Sequence, residues 1–205
     1  MSGKSILVLG AGIMQLPALE TARRNGWFLI VADGNPAALA RDRADVFHVV
    51  DLKDTEGLLE LARGYHERSM LDGVFTAGTD FSTSVAYVAQ EFGLPGLSYE
   101  TAMNATDKVR MRRVLEEAGV PVPAFRMAER AEDVLGGNHP SLPVVVKPVD
   151  NMGARGVRRV DTAAELPDAV ATALEFSRSG RAIVEEFIGG PEFSIDALVV
   201  NGELT

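Results

Sequence analysis

Over its first ninety residues the chain alternates short aliphatic runs with segments of helical period, and this alternation limits the possible folds more than any other feature. Ser5 to Leu9 reads as a buried strand, and Gly10-Ala11-Gly12 ends it in a tight turn that opens a helix through about Asn25, where Gly26 stops it. Phe28 to Ala32 follows as a second strand, Pro36 to about Arg41 as a short helix, and Val46 to Val50 as a third strand. A helix from about Thr55 to Tyr65 carries Leu58, Leu59, Leu61, Ala62 and Tyr65 on one side, and Val74 to Thr76 supplies another strand. In the next helix, Asp80 to Phe92, the residues Phe81, Val85, Val88, Ala89 and Phe92 recur at helical spacing. Strands separated by helices predict a parallel sheet with right-handed crossovers.

The pattern changes after Gly93-Leu94-Pro95-Gly96. Two helices follow, near Tyr99 to Ala105 and from Asp107 to Ala118, and then an extended linker, Gly119-Val120-Pro121-Val122-Pro123. Ala124 to Met127, Val144 to Lys147, Val157 to Val160 and Ala182 to Phe187 read as strands, interrupted by a helix from about Ala163 to Phe176. The expected fold is therefore α/β over residues 1–97 and α+β over 98–205, with some strands of the second region joined as hairpins. Phe193 to Val200 alternates as a further strand, and Asn201-Gly202 is a strong hairpin signal with only Glu203-Leu204-Thr205 behind it. A natural domain rarely stops inside a hairpin, so this sequence is expected to be part of a longer chain.

Composition removes several function classes. With 46% hydrophobic and 24% charged residues, 205 residues can bury a sizeable core. The formal net charge of -9 opposes nucleic acid as a partner. No apolar window is long enough to span a bilayer, and the start runs straight into a strand, so no membrane partner is expected. The absence of cysteine excludes disulfides, thiolate nucleophiles and cysteine metal sites, and fits a cytoplasmic location. His48, His66 and His139 show no metal-ligand spacing, so no metal ligands are expected within this chain.

Lys147 closes the apolar run Leu142-Pro143-Val144-Val145-Val146, and the glycine loop Asp150-Asn151-Met152-Gly153-Ala154-Arg155-Gly156 follows at once. A lysine at the end of a β-branched run must find an anion or water, and glycines let backbone approach that anion closely. No Gly-Lys-Ser/Thr follows and Val157 to Val160 reads as a strand, so this is a hairpin loop rather than a helix-opening P-loop. Lys108 stands in the first turn of its helix behind a predicted cap, Thr106, where the helix dipole disfavours a cation by roughly 0.3 to 1 kcal/mol. Taken alone it reads as a solvated lysine paired to Asp107; beside Lys147 and the loop it becomes a second phosphate contact. Glu185-Glu186-Phe187-Ile188-Gly189-Gly190-Pro191-Glu192 joins a strand end, an apolar pair and a turn, offering a purine slot at Phe187 and Ile188 and a ribose acceptor at Glu192.

Two other readings stay open. Gly10 and Gly12 after a strand, with Asp33 ending the next, are arranged as in a nicotinamide-dinucleotide site of an oxidoreductase or sensor, but Gln15 replaces the third glycine of that fingerprint. Gly78-Thr79-Asp80 at a strand's carboxyl end suits a non-catalytic module that senses a nucleotide or an amino acid, or simply Thr79 capping the next helix.

The ordered elements Thr106-Asp107-Lys108, Val144 to Pro148, Gly153 to Gly156, Glu185 to Ile188 and Gly190-Pro191-Glu192-Phe193-Ser194 resemble the ATP-grasp superfamily. Within it the pattern is most similar to proteins like the carbamoyl-phosphate synthetase large chain and D-alanine ligase. The resemblance implies a Rossmann-like pre-ATP-grasp domain over 1–97 and the amino-terminal part of the grasp over 98–205, with linker helices at 98–119 and a lid subdomain at about 120–187. It implies ATP contacts from Lys108 and Lys147, a loop of Gly153, Ala154, Arg155 and Gly156 over the phosphates, and a hinge of Glu185, Glu186, Phe187 and Ile188 at the adenine. Glu192 would bind the ribose, while Arg155 either grips a phosphate or faces solvent. The implied activity is an ATP-dependent ligase joining a small-molecule carboxylate to an amine or thiol through an acylphosphate. The resemblance places the Mg2+ ligands and the catalytic residues downstream of Thr205, so the 205 residues alone are expected to be inactive. An unfinished sheet exposes an edge, which makes a homo-oligomer a further expectation.

Overall fold

The computed structural model describes residues 3–200 and 202–204. Four strands, β1 (Ser5–Leu9), β2 (Phe28–Asp33), β3 (Val46–Val49) and β4 (Gly73–Phe75), form one sheet in the order β3-β2-β1-β4, and every neighbouring pair is parallel. The aliphatic runs are nearly continuous because both faces of this sheet are covered. Leu7, Leu9, Ile30 and Ala32 face α2 (Thr55–His66) and α3 (Ser82–Glu91), packing with Leu58, Leu59, Ala62 and Val88. Val8, Leu29 and Val31 face the opposite way, onto Leu19 and Ala22 of α1 (Leu16–Arg24). Leu7, Leu9, Leu29 and Ile30 are fully buried, each contributing about 1.5 to 3 kcal/mol relative to exposure.

α4 (Tyr99–Thr106) packs on α3 and leads into α5 (Lys108–Glu117), which connects to the second body. There β5 (Phe125–Ala128), β6 (Val144–Pro148), β7 (Arg158–Val160) and β8 (Ala182–Glu186) form an antiparallel sheet in the order β5-β8-β6-β7. Val144, Val146 and Val184 pack on Leu166, Val170 and Ala173 of α6 (Leu166–Phe176), while Val109 of α5 meets Val149 and Ile183. A parallel sheet followed by an antiparallel one is the α/β then α+β arrangement that the residue pattern predicts.

Several local expectations are corrected. Pro36 to Arg41 is not a helix: turns lead into a 3-10 segment at Arg41–Arg43, because Asn35 and Asp33 accept the backbone N–H groups of Ala37 and Asn35 and so compete with helix formation. The helices predicted from Gly12 and Ala163 begin as 3-10 turns, Ile13–Gln15 and Ala163–Glu165. α5 is capped by Asp107, whose Oδ1 accepts from Arg110 N at 2.9 Å, and not by Thr106, which ends α4 and donates its hydroxyl to Ala102 O. Thr79 does not cap α3 either; its Oγ1 accepts from Phe81 N, and Phe81 takes the cap position without a side-chain bond. The predicted strand Phe193 to Val200 shortens to β9 (Val199–Val200), which pairs with β10 (Glu203–Leu204). Alternation alone does not make a strand when no neighbouring strand accepts its backbone. In the predicted Asn201-Gly202 turn, Asn201 lies outside the described residues, as does Thr205.

Candidate functional site

The site begins at the junction of α5 and β6. Asp107 is 3% exposed and fully committed, capping α5 with one oxygen and accepting from Arg181 Nη2 at 2.7 Å with the other. Lys108 therefore does not pair with it. Its ammonium donates to Asn151 O at 2.7 Å and Val149 O at 3.3 Å, and its backbone N–H bonds Val149 O at 3.0 Å. Both carbonyls belong to the segment that enters the glycine loop, so Lys108 clamps that loop to the helix. Burial lowers the Lys108 pKa, and the neighbouring Lys147 ammonium lowers it further. Carbonyls offset only part of an ammonium's charge, and the nearby Asp150, Glu185 and Asp107 carboxylates act on it as well. Lys108 lines a cavity of about 420 Å³ with Met152, Gly153 and Ala154 on one side and Thr79, Asp80 and Ser82 on the other.

The loop between β6 and β7 is shaped by backbone that side chains resist. Gly153 (φ 71°), Ala154 (φ 56°) and Gly156 (φ 70°) all occupy the left-handed region. A Cβ on Gly156 would lie 2.9 Å from Phe176 Cβ and 3.0 Å from Pro148 Cγ, so that glycine also permits close packing. The loop's base is anchored. Asp150 accepts from Ser177 Oγ (2.8 Å), Arg178 N (3.0 Å) and Ser179 N (2.8 Å), and Asn151 Nδ2 donates to Phe176 O (2.7 Å). Burial pushes the Asp150 carboxyl upward, but its hydrogen bonds to Ser179, Ser177 and Arg178 together hold it below its ordinary value. The tip, Met152 to Arg155, is exposed, and Arg155 Nε donates back to Met152 O at 3.2 Å.

Lys147 and the β8 hinge form the adjoining cavity, of about 490 Å³, which Val145, Phe187, Ile188 and Glu192 also line. Glu185, 3% exposed, receives the Lys147 ammonium on Oε2 and Arg112 Nε on Oε1 at 2.6 Å. Beyond it the chain is held by its backbone: Glu186 N donates to Ala124 O (2.8 Å) and Phe187 N to Pro143 O (3.0 Å). The Arg159 guanidinium sits 4.3 Å from the Phe187 ring centroid, capping one face of the ring. Glu186, Ile188 and Glu192 are exposed. The predicted residues thus fall into two adjoining groups, Lys108 with the loop and Lys147 with the hinge, and the influence of Lys147 on Lys108 links them.

Residue reading missed Arg112, Asp150 and Arg159. Only Arg112 left a signal, standing one helical turn beyond Lys108 on the same face of α5. The turn after β1 is closed by its own side chain: Gln15, 2% exposed, accepts from Gly12 N at 2.8 Å and donates to Ala77 O. Asp33 is likewise engaged by Ala11 N and Asn35 N, and a cavity of about 330 Å³ opens beside Gly10, Gly12 and Asp33. An apolar groove of about 590 Å³ beside α1, lined by Ile6, Val8, Trp27 and Phe75, brings no charged group to bear and lies outside this site.

Among the described residues no group of three or more His, Asp or Glu side chains is placed to hold a metal ion, and none of the helices is long and apolar enough to cross a membrane.

Known proteins resemble this chain in both sequence and fold. Residues 19–96 match the ATP-grasp N-terminal domain family and residues 140–205 the ATP-grasp domain family. An uncharacterised protein of Sinorhizobium fredii is 32% identical over 186 residues, covering 85% of this chain and 38% of its own length. The crystal structure of an L-amino acid ligase from Bacillus licheniformis superposes with a TM-score of 0.78 at 27% identity, over 98% of this chain and 48% of that one. An N5-carboxyaminoimidazole ribonucleotide synthetase, solved as its ADP complex, shares the fold at 18% identity with a TM-score of 0.73, over 98% of this chain and 56% of that one. The chain thus spans roughly 38 to 56% of the length of these relatives. With both family segments matched in order around one loop and hinge, the chain belongs to the ATP-grasp superfamily.

Proposed function

We propose that this chain forms the nucleotide-receiving part of an ATP-dependent ligase that joins a small carboxylate to an amine or a thiol through an acylphosphate. The observation that carries the proposal is a pair of lysines each lining a cavity, Lys147 beside the hinge and Lys108 beside the glycine loop, with the Lys147 ammonium near enough to lower the Lys108 pKa. The adenine enters the hinge cavity against Val145, Phe187 and Ile188, its edge meeting Glu185 and the Ile188 backbone, with the ribose at Glu192. The phosphates run past Lys147 toward Lys108, and the tip Gly153 to Gly156 folds over them. Exposed glycines suit that role, since backbone N–H groups reach an anion there without side-chain interference. The carboxylate and its acceptor approach from the carboxyl ends of the parallel strands, where Thr79, Asp80 and Ser82 face the loop. In this reading residues 1–97 are the pre-ATP-grasp domain and 98–205 the first part of the grasp.

ATP supplies the phosphoryl group that activates the carboxylate, and this chain's own residues bind and orient the triphosphate. Phosphoryl transfer depends on such positioning and on electrostatic stabilisation. The test is a calorimetric or 31P NMR titration of the chain with ADP and ATP. Binding is expected in the wild type and a loss of about tenfold or more in Lys147→Ala, the scale of one charge-assisted contact. Equal affinities would refute the assignment.

A further inference from the structure

Glu185 is a buried carboxylate shared by two cations from different elements, Lys147 of β6 and Arg112 of α5. The side chains of Arg112 and Lys147 are 22% and 19% exposed, so this cluster is partly shielded from water and its charge count matters. Lys147 and Glu185 alone would form a neutral pair. Arg112 raises the cluster to a net charge of plus one, and Arg112, Lys147 and Glu185 all line the hinge cavity, with the exposed carboxylates of Glu186 and Glu192 at its rim. Holding Glu185 from one side, Arg112 also fixes the carboxylate that Lys147 leans on.

We propose that Arg112 is a positioning residue of the nucleotide site, one that engages Glu185 and so leaves the Lys147 ammonium with charge free for a polyphosphate. This inference rests on the nucleotide reading above. It predicts an effect that grows with phosphate charge, whereas a residue that merely packs α5 against β8 would weaken nucleoside and nucleotide alike. The readout is the ratio of ADP to adenosine affinity, measured by NMR titration of the 205-residue chain. Arg112→Met is expected to lower that ratio about tenfold while Arg112→Lys holds it within about twofold. The double variant Arg112→Met/Glu185→Gln restores the ratio, because removing the acid returns the cluster to plus one. Arg112→Gln, which keeps a hydrogen bond to Glu185 without charge, gives the same reading where the methionine variant does not fold. An unchanged ratio, or a double variant without recovery, overturns the proposal. Wild-type chain that binds neither ligand instead defeats the nucleotide reading on which it stands.

Discussion

Lys108 sits where a helix least favours a cation, at the first turn of α5, and it is held there by carbonyls rather than by a carboxylate. A lysine in that state gains from an incoming anion, so its lowered pKa has a functional consequence. In the proposed site the protonated form is the one that meets phosphate. Affinity for a nucleotide should therefore be full below the lowered pKa and decline as pH rises through it, on the acid side of an ordinary lysine's titration near 10.4. Replacing Lys108 with Arg, which stays charged, should flatten this decline, and titrations with ADP at rising pH up to about 10.4 will show whether it does. An equally steep decline in Lys108→Arg would remove Lys108 from the phosphate path. Lys108 and Lys147 stood out in the sequence because each lies beside a local signal, a helix start or a strand end, but the carbonyl partners of Lys108 did not, since they lie more than forty residues away. The Arg112–Glu185 contact was not legible either, since it joins residues 73 apart in sequence, and the Asp107 cap was misplaced because Thr106 and Asp107 are both good capping residues.

At the scale of elements, the β6–β7 loop combines a rigid base with an open tip, and its glycines separate the two roles. Gly153→Ala meets no atom within 4 Å and should cost only the left-handed backbone penalty of about 1 to 2 kcal/mol. Gly156→Ala adds contacts with Phe176 and Pro148 below 3.1 Å and should cost more, lowering the melting temperature by several degrees beyond Gly153→Ala. Equal melting points would mean that the base of the loop yields freely. Asp150 provides an independent check on that base. Its folded-state pKa is depressed, so its contribution to stability is present above the unfolded value and is lost as pH falls through the lower folded one. Asp150→Asn should therefore melt below the wild type at about pH 6, with the gap narrowing as pH falls below about 3.9, the ordinary aspartate value. A gap that is constant with pH would show that the carboxylate's charge is irrelevant to holding Ser177 to Ser179. The glycines that shape this loop were readable as such; its anchors, Asp150 on the 177–179 turn, needed the fold to bring them together.

The whole molecule has apolar cores on both faces of each sheet, those of the parallel sheet in the first body and those of the antiparallel sheet, against α6 and against α5, in the second. The first sheet was legible because strand, helix and strand follow one another locally. The order β5-β8-β6-β7 was not, because β5 and β8 pair across more than fifty residues and no short-range pattern encodes that choice. Between the bodies run α4, α5 and the ion pair of Asp80 with Arg178, whose side chains are 16% and 39% exposed. A pair so placed adds about 1 kcal/mol at most, and with the packing of α4 on α3 it links bodies whose own cores hold most of the buried side chains. The bodies should then unfold separately, and the single tryptophan makes this measurable: Trp27 packs against the parallel-sheet core, whereas far-ultraviolet circular dichroism reports both bodies. Val170→Ala, at a fully buried position of α6, should destabilise the second body by about 2 to 3 kcal/mol. In denaturant its dichroism transition should begin earlier while the Trp27 midpoint stays close to that of the wild type. Equal shifts in both signals would instead show one cooperative unit, and the division near residue 97 would then carry no energetic meaning.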